Sequence, residues 1–323
     1  MTSSFQSATR KSMRTFITAT AILMLLQTAI APLSGVAAAA SSSTDTNKVT
    51  TASTTTIYKT FQSMLYKKNG LPAADTYLES HIDQVTTHHA TLMVLQLENA
   101  RNKALTAMTD RLLVPNVQDK MIKAYKLNDS FTQLMSRTND TSLRALLQQA
   151  RDSGYRLVML EGSLYPIMNY MAFQKYISYV KPDIKQYINI MAVETSNLAA
   201  DDGALVIGYQ EILNRALNQE RFLNEYPKSN RLQQVKNLMN NYTLYTFYGL
   251  NNTPLFDYET NKMTANAQKG YKAVLQRNSS EDSAFLTKLE KFMDIVTEAK
   301  FEKTATVEKW LEQNVPVSDY ANY

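Results

Sequence analysis

The residues of this chain that could do chemistry fall into three sets: isolated carboxylates in apolar runs, tyrosines interleaved with asparagines, and a short histidine-bearing stretch. Glu161 lies in Leu160-Glu161-Gly162-Ser163-Leu164-Tyr165-Pro166, and Glu194 lies in Ala192-Val193-Glu194-Thr195. Glu220, followed by Arg221, closes another periodic run. A carboxyl set among apolar side chains has its charged form disfavoured and its pKa raised, which suits a proton donor. Two such groups flanking a glycosidic bond can hydrolyse it. On that reading Glu161 is the donor and Glu194 or Glu220 its partner. The plainer reading makes Glu161 and Glu194 structural, capping or ion-paired with residues such as Arg156 or Arg215, and it carries more weight, because ion-pair networks also perturb carboxylates.

Tyrosine is the conspicuous surplus. Twelve of the 19 tyrosines fall in two windows, from Tyr155 to Tyr187 and from Tyr226 to Tyr271, so the surplus is concentrated in the second half of the chain. Tyr242, Tyr245 and Tyr248 step i, i+3, i+6, and Asn237, Asn240, Asn241, Asn251 and Asn252 interleave with them, with Tyr258 just beyond. A tyrosine ring offers an apolar face and a hydroxyl, and an asparagine offers a paired donor and acceptor. That mixture suits a sugar or a protein partner. The competing reading is a tyrosine-rich helical core. Tyr242, Tyr245, Tyr248, Asn251, Asn252 and Tyr258 are the expected ligand-binding residues, with the segment from Tyr165 to Tyr179 as a further contact.

The histidines are His81, His88 and His89. With Asp83 or Glu79 they could contribute to a metal site, but their spacing is looser than that of paired zinc ligands, and they read as surface residues near a break at Thr86-Thr87. Neither metal nor cofactor is expected. The chain has no Cys, so disulfides, thiolate nucleophiles and cysteine metal sites are excluded. Its 8 Gly are scattered and build no phosphate-cradling loop. The Gly-x-Ser-x-Gly, His-Glu-x-x-His, Walker and Gly-x-Gly-x-x-Gly signatures do not occur.

The elements that must position these residues are helices. Apolar residues recur at three- and four-residue steps: Met93, Leu97, Ala100, Ala104, Met108 and Leu112 form one stripe, and comparable stripes start at Leu143, Ile184, Leu205, Leu232 and Phe285. Residues 156–160 form the best candidate strand. Pro115, Pro166, Pro182 and Pro227 are placed to begin helices, Ser229, Thr264 and Ser280 to cap them, and Gly154 and Gly249 to end them. Asp201-Asp202-Gly203 reads as a helix break. Residues 249–258 read as a defined connector, either functional or with Leu255 and Phe256 plugging the core. The expected fold is all-α, about ten helices in a bundle or stacked pairs, in one or two lobes.

The N-terminus sets the expected address. Arg10, Lys11 and Arg14 precede an uncharged, mostly apolar stretch, residues 16–31, then Pro32, Gly35 and a run of alanines. This is the order of a cleaved secretory signal peptide, residues 1–40. It removes three of the 34 basic residues and none of the 29 acidic ones, leaving 31 against 29, a formal +2 instead of +5. So neutral a chain lacks the basic excess of a nucleic-acid binder. Residues 41–56 hold 11 Ser or Thr and read as a flexible spacer. A composition shift near Asp152-Ser153-Gly154-Tyr155 divides the remainder into residues 57–153 and a tyrosine-rich 154–323. After residue 40 no apolar run is long enough to span a bilayer. The expectation is an exported, cell-envelope-associated bacterial protein, non-enzymatic, that contacts cell-wall glycan or another envelope protein. A secreted glycan hydrolase and a purely structural role are the alternatives.

Overall fold

The computed structural model describes residues 51–319. The expected signal peptide and residues 41–50 of the expected spacer lie outside the described residues. The end of that spacer is not a linker: Thr51 to Thr56 open the first helix, α1 (Thr51–Leu65), where Thr54 and Ile57 are already buried. The Ser/Thr composition there masks an apolar face that begins earlier than it reads.

The chain is mostly helical. After α1 come α2 (Leu71–His81), the long α3 (Thr87–Leu112), α4 (Pro115–Ala124), α5 (Phe131–Ser136) and α6 (Thr141–Asp152). Their starts have local causes. Thr86 accepts the His89 N–H at the head of α3, Asp140 accepts the Leu143 N–H at the head of α6, and Pro115 opens α4. Ser130 and Gln133 form a reciprocal capping box on α5.

An antiparallel hairpin follows, β1 (Tyr155–Leu160) paired with β2 (Ser163–Met168) from Tyr155↔Met168 to Leu160↔Ser163. The expected helical fold holds in its coarse form, with short strands added to it, the first at the expected candidate, residues 156–160. Pro166 does not start a helix; it lies in β2 opposite Leu157. A 3₁₀ segment (Tyr170–Tyr176) leads to α7 (Pro182–Ser196). The Asp201-Asp202-Gly203 break is a second small ribbon, β3 (Ala200–Asp201) with β4 (Ala204–Leu205). Then come α8 (Tyr209–Glu225), α9 (Leu232–Phe247), a third ribbon of β5 (Gly249–Leu250) and β6 (Thr253–Pro254), α10 (Ala265–Leu275), α11 (Ala284–Glu298) and α12 (Ala305–Asn314).

Two apolar cores organise these elements. The first gathers α1 to α7, the β1–β2 hairpin and the 3₁₀ segment, with Phe222, Val235 and Leu238. It runs without a gap across residues 152–155, where composition changes. The second gathers α10 to α12 with Tyr209, Ile212, Leu213 and Ala216 of α8 and Tyr242, Tyr245 and Phe247 of α9. The helix pair α8–α9 therefore belongs to both: the ends next to the Tyr226–Arg231 connector enter the first core, and the far ends enter the second. Leu255 and Phe256 are buried in the second core, the plugging role that their connector allowed.

Candidate functional site

A groove of about 660 Å³ runs along α3, within the ~300–1,000 Å³ range of ligand sites. Its floor is one face of that helix. Ala100, Ala104 and Ala107 follow at three- and four-residue steps, flanked by Gln96, Asn99, Lys103 and Arg111. From Gln96 to Arg111 this face runs about 22 Å at 1.5 Å per residue. Alanines leave the space that longer side chains would fill.

One wall is the turn that ends α1, with Tyr66, Lys67 and Asn69. The turn is tight. Asn69 has φ +58°, and a Cβ on Gly70 would lie 2.0 Å from the Met64 carbonyl oxygen, so only glycine fits. The other wall is the α6–β1 junction, with Gln149, Ser153 and Tyr155. The Tyr155 hydroxyl donates to the Arg101 carbonyl oxygen at 2.7 Å and so ties β1 to α3.

No Asp or Glu lines the groove, whereas Lys67, Lys103 and Arg111 all do. These three side chains are exposed, and none makes a hydrogen bond or ion pair to another described residue. Behind the floor lies a buried polar cluster. Glu98 accepts the Tyr170 and Tyr187 hydroxyls, each at 2.6 Å, on one oxygen. Its other oxygen accepts Arg231 Nε at 3.0 Å and Nη2 at 2.7 Å. Burial, reinforced by the Glu98 charge, pushes both tyrosine pKa values well above their ordinary range. Arg231 Nη2 also donates to Asn99 Oδ1 at 2.8 Å. A guanidinium has only donors, so this bond fixes the Asn99 amide with its oxygen toward Arg231 and leaves its NH₂ for another partner.

The expected carboxylates do not come together around a cavity. Glu161 is exposed in the two-residue turn of the β1–β2 hairpin, with φ +49°, and is not the half-buried acid that its apolar neighbours imply. The apolar residues beside it point into the protein from strands, while the turn itself faces water. Glu220 caps α11, accepting the Phe285 N–H at 2.8 Å and the Ser283 hydroxyl. Glu194 accepts the Tyr242 hydroxyl at 2.7 Å and lies 3.5 Å from Arg215, the structural partner its plainer reading named. Burial raises the Glu194 pKa; Arg215, Tyr242 and Gln219 offset part of that rise. Glu194, Tyr242 and Tyr245 border a largely apolar cavity of only about 60 Å³.

The tyrosine ladder is corrected as well. Tyr242 and Tyr245 are buried at 1% and 6% exposure, because that side of α9 packs in the second core. Tyr248 is half-buried and donates to the Val315 carbonyl oxygen at 2.6 Å. Of the expected ligand residues, Tyr248, Asn251 and Tyr258 do line one cavity, of about 200 Å³, with Asn261 and Lys303. Asn252 instead joins two ribbons, its side chain donating to the Asp202 carbonyl and its N–H to that of Gly203 at 2.9 Å. His81 stacks on Tyr77 and His89 bonds Thr86, and no cluster of three or more metal-ligating side chains occurs among the described residues.

Sequence reasoning passed over Asn99, Lys103 and Arg111. Their signal is an alanine stripe on a long helix edged by cations and amides. Alone it reads as a solvated face, and only the α1–α2 turn and the α6–β1 junction make it a groove. The chain matches no protein-family model, no curated protein and no solved structure. Fold and site together define a mostly helical protein with a long, cation-edged, carboxylate-free groove.

Proposed function

We propose that this is an exported, envelope-associated bacterial protein that binds an extended glycan without cleaving it. The groove along α3 carries the reading. It is long and open, its amides and tyrosine suit hydroxyls and sugar faces, and it holds no carboxylate to serve as acid or base. Export rests on the charged, apolar and small-residue order of residues 1–40. The binding role expected for the Tyr/Asn surface is thus kept and moved to a different face.

The test is co-sedimentation of the purified protein with insoluble cell-wall sacculi, assaying the pellet for protein and the supernatant for released sugar. The expected result is protein in the pellet and no released sugar. Ala104→Trp, which fills the groove from a half-exposed position, is expected to abolish pelleting. Sugar release would overturn the non-catalytic reading. Wild-type pelleting by Ala104→Trp together with loss in Tyr258→Ala would place the site in the smaller cavity instead.

A further inference from the structure

We infer that the groove is built for an anionic glycan, whose carboxylate or phosphate groups meet Lys67, Lys103 and Arg111 while its hydroxyls meet Asn99 and Gln96. The inference rests on the glycan-binding reading above and adds the charge of the ligand.

The charge of the groove is unbalanced. The groove holds three cations and no acid. The chain after residue 40 is close to neutral, so this concentration is local and not a reflection of overall composition.

The polar groups are biased towards donors. Lysine and arginine only donate. Asn99 is held by Arg231 with its acceptor turned to the protein. Gln96 donates to the Tyr58 hydroxyl at 2.6 Å and accepts from Gln62 at 3.4 Å, so its oxygen is also engaged. What the cations, Asn99 and Gln96 have left to offer is N–H groups, which match a ligand rich in acceptor oxygens.

The cations are also spaced out along the groove. Lys103 and Arg111 are on one helix face about 12 Å apart along the axis at 1.5 Å per residue. A compact anion needs cations that converge on it, whereas cations strung along a groove fit charges that repeat along a chain. An acidic polypeptide is the competing ligand, and poly-L-glutamate tests it directly.

The test measures binding of the purified protein to polygalacturonate, its fully methyl-esterified form, a phosphorylated mannan, neutral mannan and poly-L-glutamate. The two acidic glycans are expected to bind, more weakly as salt is added, and the neutral forms about tenfold or more weakly. Preference between polygalacturonate and phosphomannan tells which acid the groove takes. Single Lys→Gln or Arg→Gln changes should each cost about two- to fivefold at low salt. The triple change Lys67→Gln, Lys103→Gln, Arg111→Gln should erase the difference between polygalacturonate and its ester. All three positions are exposed, and an unchanged circular dichroism spectrum would confirm the fold. Equal binding of ester and acid, unmoved by the triple change, would overturn the anionic ligand and leave the glycan reading standing. Preference for poly-L-glutamate over every glycan, or binding of none of the five, would overturn both.

Discussion

At the scale of single residues, the positions that decide most are those where the backbone leaves no choice. Gly154 ends α6 with φ +89°, and a Cβ there would lie 2.3 Å from the Arg101 guanidinium carbon. Arg101 cannot simply swing away. It is 1% exposed, lies 3.0 Å from Asp75 and sits over the Phe173 ring at 4.9 Å. Gly154→Ala therefore adds a left-handed backbone penalty to a steric conflict with a packed charge, about 2–4 kcal/mol together. Urea unfolding checks this; a loss under about 0.5 kcal/mol would mean that Arg101 relocates freely. Gly154 separates Ser153 from Tyr155, both of which line the groove, so the same change should also weaken ligand binding. Gly154 was readable from sequence as a helix-ending glycine. Its second duty, making room for Arg101, was not, because Arg101 is over fifty positions away.

At the scale of elements, the β1–β2 hairpin shows where sequence reasoning stopped. The helices were legible, since burial on one face leaves a three-to-four-residue rhythm in stripes such as those of α7, α8 and α11. The hairpin left a weaker mark, in residues 156–160 alone, the one stretch that read as a strand. Tyr155, Leu157, Val158 and Leu160 are buried on β1, and Leu164, Pro166, Ile167 and Met168 on β2, so both faces are covered and the alternation that identifies a strand is lost. Val158, Leu160 and Ile167 form a small cluster of their own on one side, while Tyr155, Leu157 and Leu164 enter the first core. Glu161, a candidate proton donor by its apolar neighbours and more weightily a structural residue, forms the hairpin turn with Gly162. Both residues have positive φ, +49° and +76°, the requirement of a type I′ turn. Glutamate is a poor choice at the first of these and asparagine a good one. Glu161→Asn is expected to stabilise the protein by about 0.5–1 kcal/mol and to leave glycan binding unchanged. Lost binding in that variant would return Glu161 to the list of functional residues.

At the scale of the whole molecule, the question is how the two cores are coupled, and the answer is a polar joint. Met191 and Ala192 of α7 belong to the first core and Tyr242 of α9 to the second; Glu194 stands between them, with Tyr242, Arg215 and Gln219 around its carboxylate. Arg215 is further held by Glu211 at 2.8 Å and by the Asn197 carbonyl oxygen at 2.9 Å, so it keeps partners when Glu194 is neutral. Burial disfavours the ionised form of Glu194 by more than its neighbours return, which raises its pKa above that of the unfolded chain. The folded state then binds the Glu194 proton more tightly than the unfolded state does. Its contribution to stability is full below the ordinary carboxylate pKa and declines as pH rises through the folded value. Glu194→Gln cannot ionise and lacks this dependence. Urea unfolding of the two proteins from pH 3.5 upward should show the stability of the wild type, relative to the variant, falling as pH rises and levelling off once Glu194 is ionised. Glu98, Arg231 and the other ionisable groups are common to both proteins, so their own pH dependence cancels to first order in the difference. A difference that grows with pH would mean that Arg215 and the Tyr242 hydroxyl outweigh burial, and that the joint between the cores is held by a charged Glu194 instead of being weakened by it.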